Sequence, residues 1–146
     1  MSMIRNTSLA LGLASFLMSG AALAAEPKVT VYQSPTCGCC SKWVTHLEQN
    51  GFEVKSVDMK DMRMIKSMSG VKPDLASCHT ARVGGYVIEG HVPADDIKRL
   101  LAERPDVRGL TAPGMPPSSP GMDIGNTPYQ VLTFDKNGKT QVFAQH

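Results

Sequence analysis

After residue 24 the sequence has no apolar run long enough to cross a bilayer, which takes about 20 consecutive apolar residues. No membrane span is therefore expected in the mature chain. It also lacks a basic stripe: the formal net charge is +2 and lysine and arginine are scattered, so nucleic acid is not an expected partner. There are no internal repeats. Cysteine is scarce as well, four in 146 residues, but its distribution is uneven. Cys37, Cys39 and Cys40 crowd into four residues and Cys78 stands alone. A structural disulfide scaffold spreads its cysteines to close loops, and a bridge inside Cys37–Cys40 would close almost none.

The first residues read as an address. Arg5 is the only charge before Glu26, Leu9 to Leu23 are apolar or small, and Ala22-Leu23-Ala24 has the small-x-small form of a cleavage site. That is the anatomy of a secretory signal peptide over residues 1–24, with removal after Ala24 or Ala25. The alternative, a membrane anchor, suits neither the short apolar stretch nor the cleavage site. Export to the periplasm is expected, with residues 25–146 forming a single domain. All four cysteines then lie where disulfides are permitted.

Along the mature chain, Lys28 to Gln33 alternates and is rich in β-branched residues, as a strand does. A helix is expected from Gly38 to Asn50, with Trp43, Val44 and Leu47 on its apolar face. Phe52 to Val57 reads as a second strand and Asp58 to Ser69 as a second helix, ended by Gly70. Strand, helix, strand with short joins is a βαβ unit, whose two strands are parallel. Ala81 to Glu89 turns at Gly84-Gly85, Pro93 to Glu103 is a helix, and Thr111 to Asn126 is a Pro/Gly/Ser-rich loop. Tyr129 to Phe134 and Thr140 to Phe143 flank Asn137-Gly138, a strong hairpin signal.

The cysteines fall at the start of the first helix. Cys37 and Cys40 are three apart and share a face, so their sulfurs can meet as a redox pair. Free N–H groups and the helix dipole favour a thiolate there. A Cys-x-x-Cys opening a βαβ unit is the thioredoxin-like pattern. The fold class expected is α/β, thioredoxin-like, with an insertion or extension before the C-terminal hairpin. Two completions of the sheet are open. In one, Pro128 is a cis proline facing the cysteines and Tyr129 to Phe143 supplies the last strands. In the other, the 81–89 hairpin and the helix from Pro93 do so.

Four thiols with His79 beside Cys78 exceed what a dithiol exchanger needs and suggest a metal. Thiolate, thioether and imidazole all suit Cu(I), and four thiolates can bridge more than one ion. Zinc is the second metal to weigh, although its ligands usually come as two spaced pairs. Met115 and Met122 lie in the Pro/Gly loop, where packing does not demand them, and are candidate thioether ligands. Met59, Met62 and Met68 fit a helical stripe with Ile65 and read, together with Met64, as core packing. His79 is either a ligand or a hydrogen-bonding loop residue. His91 reads as structural or exposed, His46 as ordinary, His146 as terminal.

Ser34-Pro35-Thr36-Cys37-Gly38-Cys39-Cys40, Ser77-Cys78-His79-Thr80, Gly90-His91-Val92-Pro93, Gly114-Met115-Pro116 and Ser119-Pro120-Gly121-Met122 together resemble the CopG-type periplasmic copper-resistance proteins. The resemblance covers essentially the whole mature chain. It implies a thioredoxin-like fold and copper held through Cys37, Cys39, Cys40 and Cys78, with His79 a candidate ligand and redox cycling of metal or thiols in prospect. Copper ions and other envelope copper-handling proteins are the implied partners. The competing expectation is an enzyme, a thiol-disulfide oxidoreductase acting on envelope proteins through Cys37 and Cys40 alone.

Overall fold

The computed structural model describes residues 27–146. The expected signal peptide over residues 1–24 and its cleavage site lie outside them. Among the described residues no helix is long and apolar enough to cross a membrane.

Strand β1 (Lys28–Gln33) leads into helix α1 (Gly38–Gln49) and strand β2 (Glu53–Asp58), which lies parallel to β1 with Lys28 opposite Glu53. Helix α1 puts Cys40, Trp43 and Leu47 on its buried side, at the three- and four-residue spacing of one helical face. Asn50 and Gly51 stop it, Gly51 with the positive φ of 84° that glycine adopts without strain.

Helix α2 (Met62–Ser69) is shorter than expected. Asp58 completes β2, and Asp61 caps the helix by accepting from the Arg63 N–H, while Gly70 closes it in the left-handed region. The methionine stripe does not pack as expected. Ile65 and Ser69 make the buried side, Met59 and Met62 are half-buried, and Met64 and Met68 are exposed.

After a 3-10 turn at Pro73–Leu75 come β3 (Thr80–Val83), β4 (Tyr86–Glu89), helix α3 (Ala94–Glu103), β5 (Gly109–Thr111), β6 (Gln130–Phe134) and β7 (Thr140–Gln145). The seven strands form one sheet in the order β2-β1-β3-β4-β5-β6-β7. Strand β3 runs antiparallel to β1, β4 antiparallel to β3, and β5 parallel to β4. The 81–89 hairpin thus completes the sheet beside β1, and the Asn137-Gly138 hairpin forms the far edge. Of the two completions open in the sequence, strand order follows the second. The cis proline is not found: no peptide bond among the described residues is cis, and Pro128 heads β6, four places along the sheet from β1.

Both faces of the sheet are covered, which is why β4 is buried at all four positions. Tyr86 and Ile88 face the main core with Trp43, Leu47, Ile97 and Leu100 from α1 and α3. Val87 points to the other face and joins Val71, Leu75 and Phe134 in a smaller cluster. The three-residue β5 was not expected from the sequence. It is too short to show a period, and it exists because β4 offers it a parallel edge.

Candidate metal centre

Chain direction and sheet order bring the cysteines together. Cys37 leaves β1 in extended geometry, and its carbonyl accepts from the Ser41 N–H at 3.3 Å. Cys39 and Cys40 sit in the first turn of α1. Cys78 and His79 head β3, the strand next to β1, so they arrive at the same end of the sheet. The four sulfurs lie within 4.8 Å of one another. Cys37 and Cys40 form a disulfide, while Cys39 and Cys78 are free thiols. The Cys39 Sγ is 3.5 Å from the Cys37 Sγ.

A second donor group shares Cys78. Its Sγ lies 3.3 Å from His79 Nδ1 and 3.0 Å from His91 Nε2. The other nitrogen of His91 faces the Pro120 carbonyl at 2.8 Å. A carbonyl only accepts, so Nδ1 carries the proton and the Nε2 lone pair is aimed at Cys78. Burial pushes the pKa of His91 down, partly offset by the Pro120 carbonyl and Asp123. Burial pushes His79 well below the usual histidine value, reinforced by His91 and Lys66. Both rings are therefore neutral at pH 7, the form that binds metals. His79 is packed between Trp43, at 4.3 Å between ring centroids, and His91, at 5.0 Å. Its Nε2 is buried without a hydrogen-bond partner. Burial, then the neighbouring Cys39, pushes the Cys78 thiol up to about 11. This thiol keeps its proton at neutral pH and would release it on binding a soft metal.

The Cys78 loop is held from beneath. Glu89 is fully buried and accepts from Lys66 Nζ at 2.5 Å, from the Ser77 N–H at 2.7 Å and from the Thr80 hydroxyl at 2.7 Å. The Pro/Gly loop closes the top. Gly114 bridges to Ser77, whose hydroxyl donates to the Gly114 carbonyl. Gly121 packs on the start of α1 so closely that a Cβ there would lie 2.8 Å from the Trp43 nitrogen and 2.9 Å from the Cys39 carbonyl. Met115 and Met122 are each the next residue along. Met115 is exposed and Met122 half-buried, and the glycines before them hold this loop against the Cys78 segment and α1.

Three residues carry more than their sequence context suggests. His91, expected to be structural or exposed, is buried against Cys78. The signal was in the hairpin register: Thr80 pairs with Glu89, so counting outward sets Cys78 opposite His91. Glu89 gave no signal, since a carboxylate at the end of an apolar strand is ordinarily solvated. His46 is also less ordinary than expected, because its Nε2 accepts the Ala94 N–H at the start of α3.

The donors are sulfur and neutral imidazole, with no carboxylate in either group. That set fits a soft cation such as Cu(I) and offers nothing to Mg or Ca. The half-buried Cys78 thiol is within reach of His79 Nδ1 and His91 Nε2, the two imidazole nitrogens that could join it on a metal, whereas the unpartnered His79 Nε2 is the other nitrogen of its ring and is not accounted for by that cluster.

Residues 75–122, which hold Cys78, His79, His91, Met115 and Met122, match a family model described as a protein of unknown function, DUF411. Two solved structures are similar over the same fold. Copper resistance protein CopG in its form 1 is 44% identical, with a TM-score of 0.77, covering 83% of this chain and 98% of its own. Its form 2 is 42% identical, with a TM-score of 0.78 and the same coverage. Curated proteins gave no match.

Proposed function

The chain belongs to the family of the CopG copper resistance proteins, and on that premise we propose that it binds Cu(I) in the periplasm through its cysteine cluster. The observation that carries this reading is the position of Cys78, whose sulfur is common to the four-cysteine group and to the Cys78-His79-His91 group. Cys37, Cys39, Cys40 and Cys78 are the thiolate ligands, and His79 and His91 supply neutral imidazole. Met115 and Met122 are supplementary thioethers carried by the loop that closes the site. With two donor groups sharing it, the Cys78 thiolate would bridge more than one ion.

The ligand set depends on oxidation state. With Cys37 and Cys40 bridged, Cys39, Cys78, His79 and His91 remain. Two electrons and two protons open the bridge and add two thiols. In reverse, forming the Cys37–Cys40 bond releases two electrons and two protons, enough to take two Cu(II) ions to Cu(I). The strand order β2-β1-β3-β4, with α1 after β1 and α3 after β4, supports a thioredoxin-like unit extended by β5 to β7. The signal-peptide anatomy of residues 1–24 supports periplasmic delivery, where other envelope copper-handling proteins are the partners to seek.

The test is anaerobic Cu(I) titration of the reduced mature protein against a Cu(I) chelator, with Cys39→Ser, Cys78→Ser and His91→Ala alongside. Tight binding that weakens at least tenfold in each variant supports the shared centre. Binding unchanged in Cys39→Ser and Cys78→Ser sinks it. A second reading, a thiol-disulfide oxidoreductase, is favoured by the Cys37–Cys40 bridge itself. It requires disulfide exchange that survives both of those substitutions.

A further inference from the structure

The methionines of α2 are not where packing would put them. Burying a large apolar side chain stabilises a fold by about 1.5–3 kcal/mol, yet Met64 is 59% exposed and Met68 65% exposed. Among the five large apolar side chains exposed in the described residues, these are two, and a third is Met115. The buried side of the helix is held by Ile65 and Ser69 instead. What the helix presents to solvent at both positions is therefore a thioether.

Met64 and Met68 are four apart on one helix. That spacing sets their Cβ atoms about 5–6 Å apart on the same face. Soft metal–sulfur bonds run about 2.3 Å, so a cation held between two sulfurs needs them roughly 4.6 Å apart. Methionine has three rotatable bonds with which to reach that separation. The scaffold is fixed at both ends, by the Asp61 cap and by Gly70. The cations of the helix are engaged elsewhere: Arg63 is paired with Asp61 and Lys66 with Glu89.

We propose that Met64 and Met68 form a second, solvent-facing site for a soft monovalent cation, Cu(I) in the periplasm, distinct from the cysteine centre. The proposal rests on the copper reading for its physiological ligand, though not for its geometry. Thioethers bind without losing a proton and cannot be closed into a disulfide. This site therefore keeps its ligands when the Cys37–Cys40 bridge is formed and the cysteine centre has lost two of its four thiols. The same softness excludes Zn(II), which takes its ligands from thiolate, imidazole and carboxylate.

The test uses the mature protein labelled with 13C at the methionine ε-methyl groups, titrated with Ag(I) as a redox-inert probe, with Met64→Leu and Met68→Leu used to assign the resonances. Leucine at either exposed position leaves the core untouched. Thiolate-to-metal absorbance reads the cysteine centre in the same samples. The expected result is that the Met64 and Met68 methyls shift together and saturate at one Ag(I) per pair. Met64→Leu should weaken the Met68 response at least tenfold, and Zn(II) should move neither. If both methyls stay still while thiolate absorbance develops, the thioether site is refuted and the cysteine centre stands. If neither signal responds, both readings fail. A Met68 shift that persists in Met64→Leu also overturns the proposal, because it leaves two independent thioethers and no shared site.

Discussion

Lys66→Met should destabilise the protein by about 3 kcal/mol at pH 7, near the lower end of the roughly 3–5 kcal/mol lost when one partner of a buried ion pair is removed. Glu89 has no exposed surface and Lys66 is 15% exposed, so solvent screens the pair little. The substitution leaves a buried carboxylate with two neutral donors, the Ser77 N–H and the Thr80 hydroxyl. Those bonds, and the ability of Glu89 to take up a proton, hold the loss below the upper bound. Burial already raises the Glu89 pKa despite Lys66, Thr80 and Ser77. A carboxyl whose folded pKa lies above its unfolded value costs stability as pH rises through the unfolded value of 4.5 toward the folded one. Removing Lys66 raises the folded value further, so the variant should be closer to wild type at pH 5 than at pH 8. Urea unfolding followed by fluorescence measures this, since Trp43 is the only tryptophan and is fully buried. Lys66→Met combined with Glu89→Leu should recover most of the loss, because a well-packed apolar pair replaces a buried ionic one at little cost. A single-variant loss under about 1 kcal/mol, or a double variant no better than the single, would refute the assignment of this pair as the support of the Cys78 loop.

Acid should destabilise the metal-free protein. His46, His79 and His91 all have pKa values lowered chiefly by burial, so the unfolded chain takes up protons that the native one refuses, and stability falls as pH drops through 6.5. Each histidine contributes at most about 1.4 kcal/mol per pH unit, and a urea midpoint unchanged between pH 7 and 5 would contradict this. Gly121→Ala, at φ 88° and with its Cβ forced onto the α1 backbone, should lift the Pro/Gly loop and cost on the order of 1–3 kcal/mol, whereas Gly125→Ala, with open space around it, should cost less, as paired unfolding curves would reveal. Cys78, pushed up to about 11 from 9.0, should react with iodoacetamide at pH 8 on the order of tenfold more slowly than an ordinary cysteine once the greater nucleophilicity of a more basic thiolate is counted. Peptide mapping of timed samples reads that rate, and labelling as fast as a free thiol would remove the buried environment inferred for Cys78.

The elements that span several turns or alternations were legible because their periods are local. Lys28–Gln33, Gly38–Gln49, the Gly84-Gly85 and Asn137-Gly138 hairpins and the helix after Pro93 all appear within a residue or two of where the pattern places them. Asp58 was misread as the start of α2, since an aspartate can end a strand as readily as it caps a helix. The α2 methionines were misread because a helical stripe shows which residues share a face and not which face is covered. Pro128, offered in one completion as a cis proline facing the cysteines, is trans and heads β6; the residues that head β3, the strand beside β1, are Cys78 and His79.

The sequence by itself determined which soft donors are at hand: three thiols at one helix start and a fourth beside an imidazole. These follow from residue identity and short spacing, which folding does not change. Only the tertiary structure decided which of those groups meet. Sheet order set Cys78 beside the cysteine-rich turn, hairpin register brought His91 to its sulfur, and the covering of one helix face left Met64 and Met68 in solvent. Such facts depend on contacts between residues far apart in the chain, and no local period encodes them.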